Sequence, residues 1–124
     1  MQFIPNPTNH IMAIELKSAT RGNRVAYSKE TVYECFPKGP VGIAFALIKE
    51  SDLHYHKKAT EWYLVTRGTG IAYLNGKSFR LKENSMLKIP PTTRHTVRSK
   101  KGIAMYVISI PPWSKKDHHI VRKA

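Results

Sequence analysis

Apolar and polar positions alternate along this chain in short runs, and each run ends at turn residues instead of continuing at helical spacing. Thr31 to Phe36 carries β-branched and aromatic residues and stops at Pro37-Lys38-Gly39-Pro40, which predicts a strand closed by a turn. Val41 to Ile48 is almost continuously apolar, as a short buried strand would be. Glu61 to Thr66 follows and is broken by Gly68-Thr69-Gly70. Ile71 to Leu74 and Lys77 to Leu81 flank Asn75-Gly76, a dipeptide that accepts the positive φ angles of a two-residue type I′ turn, so the pair predicts a hairpin. Met86 to Ile89 runs into Pro90-Pro91. Arg94 to Arg98 and Ile103 to Ile110 complete the set, the last closed by Pro111-Pro112.

Strands recurring at intervals of roughly 8 to 12 residues, with no amphipathic helix between them, predict an all-β sandwich or barrel. The 124 residues suffice for one such domain, placed at 31–112. Residues 1–30 mix Pro, Asn and Thr with the apolar stretch Ile11 to Leu16, and are expected to be an edge strand or an arm onto a second subunit. Residues 113–124 are polar and basic and are expected to form a loosely ordered tail. Trp62, Tyr73, Phe79 and Tyr106 are assigned to the core, and Cys35 to packing.

Composition narrows the setting. No apolar run approaches the roughly 18 residues of a membrane span. Met1 to Pro7 lacks a basic segment followed by an apolar stretch, so a cytoplasmic protein is expected. Cys35 is the single cysteine, which excludes an internal disulfide and a thiolate metal cage. Twenty-one Lys and Arg against eight Asp and Glu give a net charge of +13, a balance that favours anionic partners. The basic residues fall in scattered pairs, Lys57-Lys58, Lys100-Lys101, Lys115-Lys116 and Arg122-Lys123, with no stripe or stacking motif, so specific nucleic-acid binding is not expected.

The chemistry lies in His54-Tyr55-His56-Lys57-Lys58-Ala59-Thr60-Glu61. Side chains on a strand alternate faces, so His54 and His56 point the same way. Glu61 would open the returning strand beside them. An imidazole pair next to a carboxylate suits a divalent transition metal. Tyr63 shares the face of Glu61 and is expected to line the same cavity. Glu34 is read as an edge residue or an acid–base group, and His10, His118 and His119 as surface histidines. Lys57, Lys58 and Arg94 would ring the opening with positive charge if they converge.

The spacing of these residues resembles the two signature motifs of the cupin superfamily. The first, Gly-x5-His-x-His-x3-4-Glu-x6-Gly, is matched from His54 to Gly68 except that Ile48 replaces the leading Gly. The second, Gly-x5-Pro-x-Gly-x2-His-x3-Asn, is matched at Pro90 and His95, with Asn84, Thr92 and Ser99 at its other positions. Asn84 can adopt the left-handed backbone that Gly provides. Thr92 does so poorly, so the turn before His95 is expected to differ from the family's. The likeness covers about residues 40–112. It implies a double-stranded β-helix, a jelly-roll-like barrel, and it implies that His95 joins His54, His56 and Glu61 as metal ligands. Zn, Fe, Mn, Ni, Co and Cu all suit such a donor set.

Glu61 to Val65, Arg67 to Gly70, Asn75 to Ser85 and Ile89 to Pro91 further resemble the cupin portion of mannose-6-phosphate isomerase-type proteins. The likeness implies a metal-dependent enzyme acting on a small polar or anionic metabolite, such as a sugar, sugar phosphate or carboxylate. The alternatives are a ligand-binding or sensing cupin without turnover and an Fe(II)-dependent dioxygenase. Single-domain cupins commonly pair, so a homodimer is expected.

Overall fold

The computed structural model describes residues 12–16, 20–22 and 29–122. The strands are β1 Thr20–Gly22, β2 Lys29–Phe36, β3 Gly42–Glu50, β4 His54–Tyr55 and β5 Thr60–Arg67. They continue as β6 Gly70–Leu74, β7 Lys77–Leu81, β8 Met86–Ile89, β9 His95–Ile110 and β10 His119–Ile120. The described residues contain no α-helix, so the all-β reading holds.

β9 organises the fold. Its second half pairs with β3 and β5, giving the registers Phe45↔Tyr106 and Leu64↔Tyr106. Its first half pairs with β6 and meets β4 at His54↔His95. Arg94 to Arg98 and Ile103 to Ile110, expected as two strands, are thus joined in one. Lys100-Lys101-Gly102 bends the chain without ending its pairing, because Gly102 takes a φ of 99°. Ser99 Oγ fixes the bend by accepting the Gly102 N–H at 3.0 Å and donating to Thr69 O at 2.6 Å. One strand feeding both layers curls the antiparallel sheet into a barrel.

The inward positions follow the two-residue period. On β5, Glu61, Tyr63 and Val65 are buried while Trp62, Leu64 and Thr66 are not. Val32, Ala46, Ile48, Val97, Ile103, Met105 and Val107 fill the interior with them. Trp62, Tyr73, Phe79 and Tyr106 are not core residues; Phe79 is 39% exposed. Their strands give the inward slots to Tyr63, Ala72, Leu81 and Val107 instead. On the outside, Tyr33, Phe45, Tyr106, Leu64 and Met86 stand in one cross-strand row.

Asn75 and Gly76 have φ angles of 49° and 83°, as the type I′ reading requires. Asn84 takes a φ of 69° in place of the motif's Gly. Contrary to expectation, Thr92 keeps the left-handed turn, with a φ of 67°. Its N–H donates to His56 O at 2.6 Å and its hydroxyl to Pro91 O at 2.6 Å, bonds that offset the strain of a β-branched residue there.

The C-terminal segment is not a loose tail. Lys115–Asp117 forms a 3₁₀ turn, β10 pairs antiparallel with β4, and the Val121 N–H donates to Leu53 O at 2.9 Å. At the other end, β1 adds to the edge of β2 in the same chain. His10 and most of residues 1–30 lie outside the described residues.

Candidate metal centre

His54 and His95 are register partners across β4 and β9, Glu61 is the second residue of β5, and His56 follows β4 directly. All four side chains are buried, and one donor atom from each lies within 4.8 Å of the others. Their hydrogen bonds determine what those atoms can do. His54 Nδ1 bonds Asp52 O at 2.6 Å, His56 Nδ1 bonds Asp117 O at 2.8 Å, and His95 Nδ1 bonds Thr93 O at 2.8 Å. A carbonyl oxygen only accepts, so each Nδ1 carries the proton. In the neutral rings every Nε2 is then a lone pair directed at the others.

Those lone pairs meet a carboxylate. Glu61 Oε1 lies 3.1 Å from His56 Nε2 and 3.4 Å from His95 Nε2. Burial would raise the Glu61 carboxyl, but the His56 and His95 imidazoles hold it well below the usual carboxylate range. Burial, with the neighbouring His95 and His118 rings, pushes His54 well below an ordinary imidazole, so it is neutral. Burial also acts to lower His56, but its bond to Glu61 outweighs that and raises it. His95 Nε2 is buried without a hydrogen-bond partner. Acceptors facing acceptors at such distances repel unless a cation lies among them. A proton on His56 can serve. A divalent metal fits the set better, because it satisfies all four donors together, and the Nδ1–H bonds to carbonyls are the support that metal-ligating imidazoles use.

A family model described as a cupin domain matches residues 47–111, more than half of the chain. The chain belongs to the cupin family. No curated protein matches this cupin. Among solved structures, a variant of Streptomyces Pac13 with uridine is 18% identical over 91% of this chain and 92% of that one, with a TM-score of 0.78. Pac13 is described as a nucleoside dehydratase. A protein from Planctomyces limnophilus is 23% identical over 91% of this chain and 99% of that one, at a TM-score of 0.79. Ectoine synthase from P. lautus is 13% identical over 92% of each chain, at a TM-score of 0.74. Likenesses at these identities establish the shared fold.

The cupin's C-terminal segment builds the outer wall of the site. The Asp117 carboxylate accepts the backbone N–H groups of Lys57 at 2.8 Å, Lys58 at 3.1 Å and Ala59 at 3.0 Å. Burial would raise its pKa, and these three bonds lower it. The His118 ring stacks on His54 with centroids 4.2 Å apart, and His119 stacks on Tyr55 at 5.0 Å. A narrow cavity beside the donors is lined by Glu30, Ser51, Tyr63 and His118 among others. Tyr63 therefore lies where its strand phase placed it. Glu30 and Asp117 were not singled out by the sequence, and His118, expected at the surface, is instead half-buried against His54; a Ser114-x-x-Asp117 cap pattern was the one local hint of this wall. Glu34 sits part-buried on β2 opposite Ala44. Cys35 donates to Tyr33 O, and burial pushes its thiol up, which suits packing. Arg94 is exposed and holds its guanidinium 5.8 Å from the Tyr55 ring centre.

Proposed function

We propose that this cupin is a metal-dependent enzyme whose divalent transition metal is held by His54, His56, Glu61 and His95, and whose substrate is a small polar metabolite that binds through oxygen. The observation that carries this reading is the donor set itself: three buried Nε2 lone pairs and one carboxylate, with every Nδ1 proton turned outward. A metal so held supplies a Lewis acid for an oxygen of the substrate. The chain's own contribution is to exclude water and to present further polar groups. Glu30, Tyr63 and His118 line the cavity beyond the four donors, which favours turnover over passive binding. Two structural neighbours described as a nucleoside dehydratase and an ectoine synthase lend support to an enzymatic role on this fold.

Elemental analysis of the purified protein, joined to a screen of sugars, sugar phosphates, nucleosides and carboxylates under air and under nitrogen, tests the proposal. Stoichiometric metal with turnover under nitrogen is the expected result. Turnover only in air with Fe(II) would assign a dioxygenase instead, and metal with binding but no turnover would leave a ligand-binding protein. The outer row Tyr33, Phe45, Tyr106, Leu64 and Met86, with Met86 74% exposed, supports a homodimer in which a second copy covers that face. Light scattering at micromolar concentration should give twice the chain mass.

A further inference from the structure

We propose that His118 is a ligand-contacting residue of this site, a fixed hydrogen-bond donor for an oxygen atom of the molecule bound beside His54. The assignment rests on the metal reading above and deepens it.

Four imidazoles meet at this end of the barrel, and they are not alike. His54, His56 and His95 each turn a protonated Nδ1 outward to a carbonyl. His118 does the reverse. Its Nδ1 lies 3.0 Å from Trp113 Nε1, and an indole nitrogen only donates. His118 Nδ1 must therefore accept, and the proton of the neutral ring resides on Nε2. With Nδ1 engaged by Trp113 and Nε2 protonated, the ring offers a metal no lone pair, and it stands outside the group of four converging donors. It is nevertheless at the site. Its ring lies 18° from parallel with His54, stands edge-on to His56 at 5.5 Å between centroids, and shares a cavity with Glu61 and Tyr63.

The chain around His118 is fixed on both sides. Before it, the Asp117 carboxylate clamps the Lys57 to Ala59 backbone; after it, His119 pairs with Tyr55 in the β4–β10 ladder. A histidine serving only as solvated surface has no use for an indole that sets its tautomer. A neutral Nε2–H beside a Lewis-acidic metal forms a two-point site for a molecule with two neighbouring oxygens, one for each. A carboxylate is the simplest such ligand.

The test uses cobalt-loaded full-length protein, with acetate as the probe and the visible Co(II) absorption as the readout. His118→Phe keeps a ring against His54 and removes the donor. It should retain cobalt and weaken acetate binding about tenfold, the effect of one hydrogen bond to a charged acceptor. His118→Gln, which restores an N–H, should recover part of the loss. Imidazole ¹⁵N shifts should show His118 protonated on Nε2, and Trp113→Phe should release that preference. Acetate affinity unchanged in His118→Phe, a wild-type spectrum insensitive to acetate, or His118 protonated on Nδ1 would each overturn the proposal. Loss of cobalt in His118→Phe, with an unchanged thermal midpoint, would make the residue a metal-holding group and overturn it as well. Failure of the wild-type protein to take up cobalt would instead bring down the metal reading, a result visible before any variant is made. In that case an acetate-induced shift at a His118 Nε2–H would still support the donor role, and its absence would end it.

Discussion

The donor end of this barrel and the grooves beyond it use charge in opposite ways. At the donor end, polar groups are matched to one another: Nδ1 protons to carbonyls, Glu61 to two imidazoles, and the Lys57 to Ala59 N–H groups to Asp117. Away from His95, where the β6–β9 ladder reaches Ile71↔Arg98, lies a groove lined by Lys49, Arg80, Lys82, Arg98 and Lys100. Its neighbour adds Lys29, Arg67 and Lys101. Glu50, 3.8 Å from Arg98, is one of the few carboxylates there. Much of the +13 charge thus lies along grooves open to solvent. Chemistry is marked by desolvated groups that converge, and net charge points elsewhere.

The largest effect expected from breaking this contrast is loss of metal. His56→Ala and His95→Ala should reduce bound metal to below about a tenth of wild type, since each removes one of few ligands. His119→Ala and Lys100→Ala should leave it intact, as plasma emission spectroscopy would show. Equal retention in all four variants would sink the ligand assignment. Acid should release the metal through the same residues. His56 is raised above the ordinary imidazole value of about 6.5 and His54 is lowered, so His56 takes a proton before His54 as pH falls. Affinity should therefore be full at higher pH and decline from above pH 6.5 downward, by up to about tenfold per unit for each competing proton.

Next in size is the clasp. Asp117→Ala removes three backbone bonds at once and loosens the carbonyl that supports His56, so it should cost about 1–2 kcal/mol of stability and several-fold in metal affinity. The carboxyl is held below its ordinary value of about 3.9, so its contribution is present at neutral pH and lost as pH falls through the lower folded value. Chemical denaturation of wild type and variant at pH 7 and pH 3 should show their difference shrinking in acid. An undiminished difference at pH 3 would mean that the charge of Asp117 contributes nothing.

What could be read from the chain depended on distance along it. His54, His56 and Glu61 lie within eight residues, and the family spacing added His95. The Asn75-Gly76 turn is local and was equally plain. Asp117 and His118 reach the site only because a two-residue strand, β10, pairs with a two-residue strand, β4, about sixty positions earlier. Neither strand has enough period to announce itself. The misplaced aromatics have a different cause. Aromatic character suggests burial, against the two-residue period: Trp62 alternates with the inward Glu61 and Tyr63, Tyr73 follows the buried Ala72, and Tyr106 stands between the buried Met105 and Val107.

Thr92 sharpens the comparison at smaller scale, since its strain sits at the donor end. Gly accepts a φ of 67° freely, so Thr92→Gly should relieve about 1 kcal/mol, less whatever the Pro91 bond and the stiffer unfolded chain contribute. The variant should melt at the same temperature or slightly higher, and bind metal as wild type does. Clear destabilisation would show that the hydroxyl bond outweighs the backbone strain.

The smallest effect is expected where the sequence suggested a large one. Lys57 and Lys58 lie between the ligand-bearing strands, which invites the idea that they draw an anion to the mouth. Their backbone N–H groups are already held by the chain's own carboxylate, Asp117, whose negative charge offsets theirs. Both side chains are exposed, where water and salt screen a charge over about 8–10 Å. Lys57→Ala combined with Lys58→Ala should thus change acetate affinity of the cobalt-loaded protein by less than about twofold, within what exposed charges contribute. Lys82→Ala combined with Lys100→Ala, in the groove, should likewise spare acetate binding but lower the salt needed to elute the protein from a polyanionic resin. A tenfold loss of acetate affinity in the first pair would reverse the contrast, because it would place a lysine ammonium on the ligand and make charge part of the site after all.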